Sequence, residues 1–291
     1  MLTRIDHVMI CVPDLAKGIE TYTRLGFTVY PGGSHTGRPT HNAIAFHDED
    51  YLEILSIRDR HAVVPGSPDA SLAEYLDQGG GFRIVSIQSD DLAGDVAAMR
   101  RRGVDVGEIR DGGRRTLEGQ ELRWRAAFLG PRDALPIFFI QHLTPLAERK
   151  AHARRLPDHP NGVTGIERVY IAVADVAAAA RTYARVLGMP APAVHRGAVI
   201  KADMAVFDLG PTGLTVAQPA EPGPAAEALA RRGPEPFQVL HRTRDLGAVA
   251  RVLADHRVPD VVEGVRNTGE RALLVRPEHA AGAYIGFVGP P

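Results

Sequence analysis

IDHVMICVPDLAKGIETYTRLG, from Ile5 to Gly26, and IERVYIAVADVAAAARTYARVLG, from Ile166 to Gly188, are two copies of one segment. At an offset of 161 residues Ile5 falls on Ile166, Val8 on Val169, Asp14 on Asp175 and Thr21-Tyr22 on Thr182-Tyr183. Matches spread over that length at one offset identify an internal repeat. Each copy opens with alternating apolar residues, which predicts a half-buried strand. Each then turns at Asp-Leu or Asp-Val, where the Asp is suited to cap a helix N-terminus. The helical stretch stops at Gly26 or Gly188, residues suited to a left-handed C-cap.

Working outward from Gly26, THNAIAF and YLEILSI read as further strands. Two weaker copies keep the same order. FRIVSIQSDDLAGDVAAMRRRGV starts at Phe82, with Asp91-Leu92 where the first copy has Asp14-Leu15. FQVLHRTRDLGAVARVLADHRV starts at Phe237, with Asp245-Leu246 at that place. The chain is thus predicted to contain four βαβββ units. A short helix follows unit one, with Ser71 and Glu74 as its capping box, and another follows unit three in PGPAAEALARRGPEP. TPLAERKAHARRLPDHPNGVTG is polar, basic and proline-bearing and reads as a linker. This divides the chain into an N-terminal domain over 1–145, a linker over 146–162 and a C-terminal domain over 163–291. The basic cluster Arg149, Lys150, Arg154 and Arg155 reads as a solvated linker face in preference to a contact with an anion or nucleic acid.

Composition narrows the function classes. Thirty-four basic against 35 acidic residues leave a net charge of −1, without the field of a nucleic-acid or membrane-surface binder. The single cysteine, Cys11, excludes an intrachain disulfide and a multi-cysteine zinc site. Cys11 shares the strand face of His7 and is expected to be packed. No run approaches the ~20 apolar residues of a membrane span, and MLTRIDHV alternates like a strand rather than a secretory leader. The expectation is a soluble, cytoplasmic protein whose partner is a small molecule, with no nucleic acid and no membrane. Phosphate-loop, G-x-S-x-G and HExxH patterns are missing from the sequence.

Tandem βαβββ units of this kind resemble the vicinal oxygen chelate superfamily, which includes glyoxalases, extradiol dioxygenases and bleomycin-resistance proteins. Within it, IDHVMICVPDL, the segment LGFTVYPGGSHTGRPTHNAIAF and DYLEIL are similar to the glyoxalase-like domain family, with Arg38 in place of the usual middle glycine. The resemblance implies an α+β fold, with the four units paired into two vicinal-oxygen-chelate half-barrel domains. It also implies a divalent metal inside the curved sheet, with ligands from the first and last strands of each unit. Carried over by position, His7 and Glu53 are the ligands from unit one and Gln141 stands where Glu53 stands. Ile84 occupies the place of His7 in unit two. The set His7, Glu53 and Gln141 would suit Fe, Mn, Zn, Ni or Co without choosing among them.

Taken alone, His7 between Ile5 and Met9 reads as a core histidine, and a His7–Glu53 pair without metal would satisfy both. Glu53 amid YLEIL is costly to bury unpaired. His35 and Asn42 are candidate substrate contacts beside their plain reading as turn residues. Tyr51 lies two residues before Glu53 and shares its face, and Trp124 either closes the barrel or stacks on a substrate. In the C-terminal domain Arg168 replaces the histidine and Thr215 or Leu214 the glutamate. That domain is expected to pack, cap or support a homodimer. The implied activity is a metal-dependent lyase, isomerase or oxygenase acting on a small oxygenated metabolite, with Glu53 as base. The alternative is a metal-free protein that sequesters a small molecule.

Overall fold

The computed structural model describes residues 1–290. All four βαβββ units are present. The first comprises β1 (Leu2–Cys11), α1 (Leu15–Arg24), β2 (Tyr30–His35), β3 (Thr40–Phe46) and β4 (Tyr51–Ile57). Helix α2 (Pro68–Asp77) leads into β5 (Gly81–Ser89), α3 (Leu92–Arg101), β6 (Arg110–Arg115), β7 (Glu121–Phe128) and β8 (Ile137–His142). A one-turn helix, α4 (Leu146–Arg149), lies in the connecting segment. The third unit is β9 (Val163–Ala172), α5 (Val176–Leu187), β10 (His195–Gly197), β11 (Ala202–Leu209) and β12 (Thr212–Pro219). After α6 (Pro224–Arg232) come β13 (Pro236–Thr243), α7 (Leu246–Asp255), β14 (Val262–Val265), β15 (Arg271–Val275) and β16 (Tyr284–Val288).

The repeat is written into the helix caps. Asp14, Asp91, Asp175 and Asp245 each precede their helix, and each side chain accepts a hydrogen bond from a first-turn N–H. These donors would otherwise be orphaned at the helix start. Gly188 closes α5 in the left-handed region. Gly26 follows α1 at φ +83°, and a β-carbon there would come within 2.9 Å of Asn161. The predicted cap of α2 is corrected: Ser67, not Ser71, accepts from the Ala70 N–H, because Pro68 already occupies the first helical position.

β1 to β8 close into a barrel in the order β1-β4-β3-β2-β6-β7-β8-β5, and β9 to β16 form an open eight-stranded sheet in the order β10-β11-β12-β9-β13-β16-β15-β14. One continuous core joins the two. Tyr22 and Phe27 from the first unit, Tyr183 and Phe207 from the third and Phe287 from the fourth lie within it. Buried polar contacts lock the halves. The Ile5 N–H donates to Thr212 Oγ1 at 2.8 Å, and that hydroxyl donates to the Leu209 carbonyl at 2.9 Å. Thr212→Val removes both partners from buried groups and is expected to cost about 1–3 kcal/mol. Urea denaturation measures it; a midpoint equal to wild type would show that the two halves do not depend on this contact.

Alternation sets which side chains enter the barrel. In β8, Ile137 and Phe139 join the helix-side core, whereas Phe138 and Ile140 pack with Met9, Ile84 and Trp124 inside. In β4, Leu52 and Ile54 face the helices, so Tyr51, Glu53 and Leu55 face inward.

Candidate functional site

The site begins with an irregularity in β1. Against β5 the register shifts between Ile5 and His7, which places a β-bulge at Asp6. A bulge lets neighbouring residues escape strict alternation. Asp6 and His7 therefore meet: the carboxylate accepts from His7 Nδ1 at 2.7 Å and from His142 Nε2 at 2.9 Å. Asp6 is fully buried. Burial alone would raise its carboxyl, but the charge and hydrogen bonds of His142 and His7 outweigh that and hold it far below the usual range. Because a carboxylate only accepts, the shared protons sit on His7 Nδ1 and His142 Nε2. In its neutral form His7 then turns the lone pair of Nε2 into the barrel.

That lone pair faces Glu53, which is 3% exposed. His7 Nε2 stands 3.4 Å from Glu53 Oε2, and His35 Nε2 stands 3.6 Å from Oε1. Neither gap is a normal hydrogen bond. The one close donor is Asn42 Nδ2, at 2.5 Å from Oε1. His35 is oriented through Nδ1 by Thr40 Oγ1 at 2.9 Å. Its burial lowers its pKa to about 4, against the pull of Glu53, so it is neutral near pH 7.

Aromatic rings wall this group. Tyr51 stacks on His7 at 4.5 Å between centroids, and Phe138 meets His7 edge-on at 5.7 Å. Trp124 meets His35 edge-on at 6.1 Å. The indole lies over Gly112, where a β-carbon would come within 2.3 Å of its Nε1. Burial pushes the Tyr51 phenol well above its ordinary value.

Five of the residues singled out from the sequence, His7, Glu53, His35, Asn42 and Tyr51, thus converge, with Trp124 beside His35. Gln141 does not join them. Its side chain accepts from the Leu92 N–H and donates to the Asp90 carbonyl, tying β8 to the start of α3 outside the barrel. The neighbouring His142 points inward instead, because Phe138, Ile140 and His142 share the inner face; a one-residue slip exchanges the faces. The linker reading is corrected too. Arg149 is not a solvated cation: its side chain is 8% exposed and lies 4.0 Å from Asp6 Oδ1. Cys11 is buried and free, as expected, and burial pushes its thiol up to about 12.

The donor set can be tested against a divalent ion. Ligand atoms about 2.1 Å from a tetrahedral ion stand about 3.4 Å apart, which the His7–Glu53 gap of 3.4 Å matches. The His35–Glu53 gap of 3.6 Å lies just beyond. As a trio, however, no group of three or more His, Cys, Asp or Glu among the described residues encloses a point that could hold a metal ion. The His7–Glu53 pair fits as two ligands, and His35 is the nearest third donor.

The second sheet has no such pair at the matching positions. His7 and Met9 lie beside Tyr51 and Glu53 in β1 and β4, and Arg168 and Tyr170 lie beside Gly213 and Thr215 in β9 and β12. Thr215, rather than Leu214, is therefore the counterpart of Glu53. Arg168 lies over Gly213, where a β-carbon would be 3.3 Å from its Nε.

A family model described as glyoxalase-like domain matches residues 5–187. A second, described as the glyoxalase/bleomycin resistance protein/dioxygenase superfamily, matches residues 165–274. A comparison with curated proteins finds no match. Among solved structures, a hypothetical protein from Staphylococcus aureus is similar over 99% of this chain and 100% of its own, at 11% identity and a TM-score of 0.69. A mutant of 4-hydroxymandelate synthase from Streptomyces coelicolor is similar over 99% of this chain and 93% of its own, at 14% identity and a TM-score of 0.65. At those identities the likeness is one of fold. Among the described residues no helix is long and apolar enough to cross a membrane.

Proposed function

This chain belongs to the glyoxalase-like domain family, and from that premise we propose that its N-terminal barrel is the reaction chamber of a lyase or isomerase acting on a small oxygenated metabolite. The observation that carries this reading is Glu53: a buried carboxylate met by two imidazole nitrogens at 3.4 and 3.6 Å and firmly held by Asn42 alone. A buried carboxylate with so few hydrogen-bond partners keeps acceptor capacity open for a cation or a substrate group.

Each side chain has a task in that reading. Glu53 accepts the proton from the carbon next to a substrate oxygen, and Asn42 fixes the carboxylate while it does so. Asp6 positions His7 through Nδ1. Neutral His35 offers Nε2 as a further acceptor or, with its ring proton relocated, a donor to a substrate oxygen. Tyr51, Phe138 and Trp124 keep water from the reacting atoms. A divalent ion would be held by His7 and Glu53, with Gln141 outside the set and the remaining positions open to substrate oxygens, and would supply Lewis-acid polarisation of such an oxygen.

Equilibrium dialysis against Fe, Mn, Zn, Ni and Co, followed by metal analysis, tests the ligand assignment without an activity assay. About one equivalent of at least one ion is expected. His7→Ala and Glu53→Ala are each expected to weaken uptake by at least the ~10–100-fold typical of losing even an orienting partner. Wild-type protein that takes up none of the five ions would remove the metal from this proposal. In that outcome the aromatic wall around His7 favours a metal-free protein that sequesters a small ligand.

A further inference from the structure

We propose that the metabolite taken by the N-terminal barrel is a small carboxylate, and that Arg149 of the linker and Arg114 of β6 are the residues that recognise it. The inference rests on the proposed function for the location of the reaction, and adds the class of substrate.

Arg149 is a buried cation without an adequate partner. Its Nε and Nη1 make no hydrogen bond, and the nearest carboxylate oxygen, Asp6 Oδ1, is 4.0 Å away. That oxygen is already occupied by His142 at 2.9 Å, and the other oxygen of Asp6 by His7 at 2.7 Å. Taking a guanidinium out of water without pairing it is unfavourable, so its placement is not explained by stability. Arg114 is similar. It donates through Nη1 to the Gly32 carbonyl, and among the described residues no carboxylate lies within ion-pair distance of it.

Both arginines line one cavity of about 50 Å³ between the barrel and the linker, with Tyr30 and Leu122 among its walls. Two acidic residues also line it, but Glu118 is held by His152 at 2.7 Å and Glu148 lies 3.5 Å from Gln120. The cavity admits a carboxylate-sized group and little more. A guanidinium presents paired N–H donors that match the two oxygens of a carboxylate. Arg149 lies 4.0 Å from Asp6, which holds His7, and a β-carbon on Gly32 would come within 2.8 Å of Arg114 Nη1 and 2.3 Å of Asn42 Oδ1, the amide whose Nδ2 holds Glu53. A carboxylate seated between the arginines therefore lies beside Asp6 and Asn42, the residues that orient His7 and Glu53.

Thermal unfolding of the full chain tests this with pyruvate, glyoxylate, lactate and malonate as probes, each against its neutral amide and against phosphate. At about 10 mM and constant ionic strength, at least one acid should raise Tm by several degrees, and its amide and phosphate should raise it by less than about one degree. Arg149→Gln should abolish that shift, Arg149→Lys should keep part of it, and Arg114→Gln should reduce it. Because it removes an unpaired buried cation, Arg149→Gln should leave Tm of the free protein unchanged or higher. Stabilisation by none of the acids, equal stabilisation by acid and amide, or equal stabilisation by phosphate overturns the proposal. So does a lower Tm of free Arg149→Gln, which would make Arg149 a structural partner of Asp6. Glu53→Gln should still bind the acid, so loss of proton transfer in that variant and loss of carboxylate recognition are separate failures.

Discussion

Glu53→Gln is expected to lower turnover about 10²–10⁴-fold while leaving the barrel folded, the range by which a positioned acid–base group accelerates a reaction. The substitution is chosen for its shape. The amide oxygen of glutamine can still accept from Asn42 Nδ2, which now lies 2.5 Å from the carboxylate, so the strand and its neighbours need not move. What is lost is the group proposed to take the proton. The measurement is incorporation of solvent deuterium into whichever small oxygenated metabolite a thermal-shift screen returns, followed by proton NMR. Substrate affinity should change far less than the rate, because Glu53 is given the reacting atoms and not the remainder of the ligand. A glutamine variant that exchanges within about threefold of wild type would show that another group moves the proton.

Asn42→Ala separates positioning from chemistry. It removes the hydrogen bond that fixes Glu53 and leaves the carboxylate in place between His7 and His35. A loss well below that of Glu53→Gln would place Asn42 as a positioning residue.

The fold was legible because its signals repeat. Four aspartates precede four helices, each followed by strands of the right period, and every one of those aspartates caps its helix. Inside the first unit, alternation along YLEILSI was enough to place Tyr51 and Glu53 on one face. The site was less legible wherever one residue of register decides a face. Gln141 aligns with Glu53 in sequence, yet β8 turns it outward and His142 inward, and a short apolar run such as IFFI carries no mark of which alternate is which. The role of Asp6 is hidden in the sequence for a related reason. Strict alternation puts it opposite His7, and only the bulge against β5 brings the two side chains together. The burial of Arg149 is hidden in the sequence because a polar, proline-bearing segment looks solvated. Its burial depends on Leu146 and Leu156 of the same segment packing against Tyr30, Ile44 and Phe46 of the barrel.

Asp6→Ala is expected to cost about 3–5 kcal/mol, the scale for breaking a buried charged network by removing one partner. Asp6 is fully buried and is the common acceptor for His7 and His142, with Arg149 4.0 Å away. Its loss leaves two ring N–H groups without an acceptor and increases the uncompensated positive charge beneath the linker. The sign of the accompanying pH effect follows from the directions of the shifts. The Asp6 carboxyl is held far below its unfolded value, so its contribution is complete above about pH 3.8 and is lost as pH falls below that. His35 is lowered by burial to about 4 and His159, likewise by burial, to about 3, so the unfolded chain binds their protons first. Their contribution is present above about pH 6.5 and declines as pH falls from there toward 4 and then 3. Wild-type stability should therefore fall in two stages on acidification, first through the histidines and later through Asp6. In Asp6→Ala the first stage remains and the second shrinks, from a lower starting value at pH 7. Urea denaturation at a series of pH values from 7 down to about 2 reads the first stage in full and the onset of the second. A variant as stable as wild type at pH 7 would show that His7 and His142 find other acceptors, and Asp6 would lose its place as the residue that orients the site.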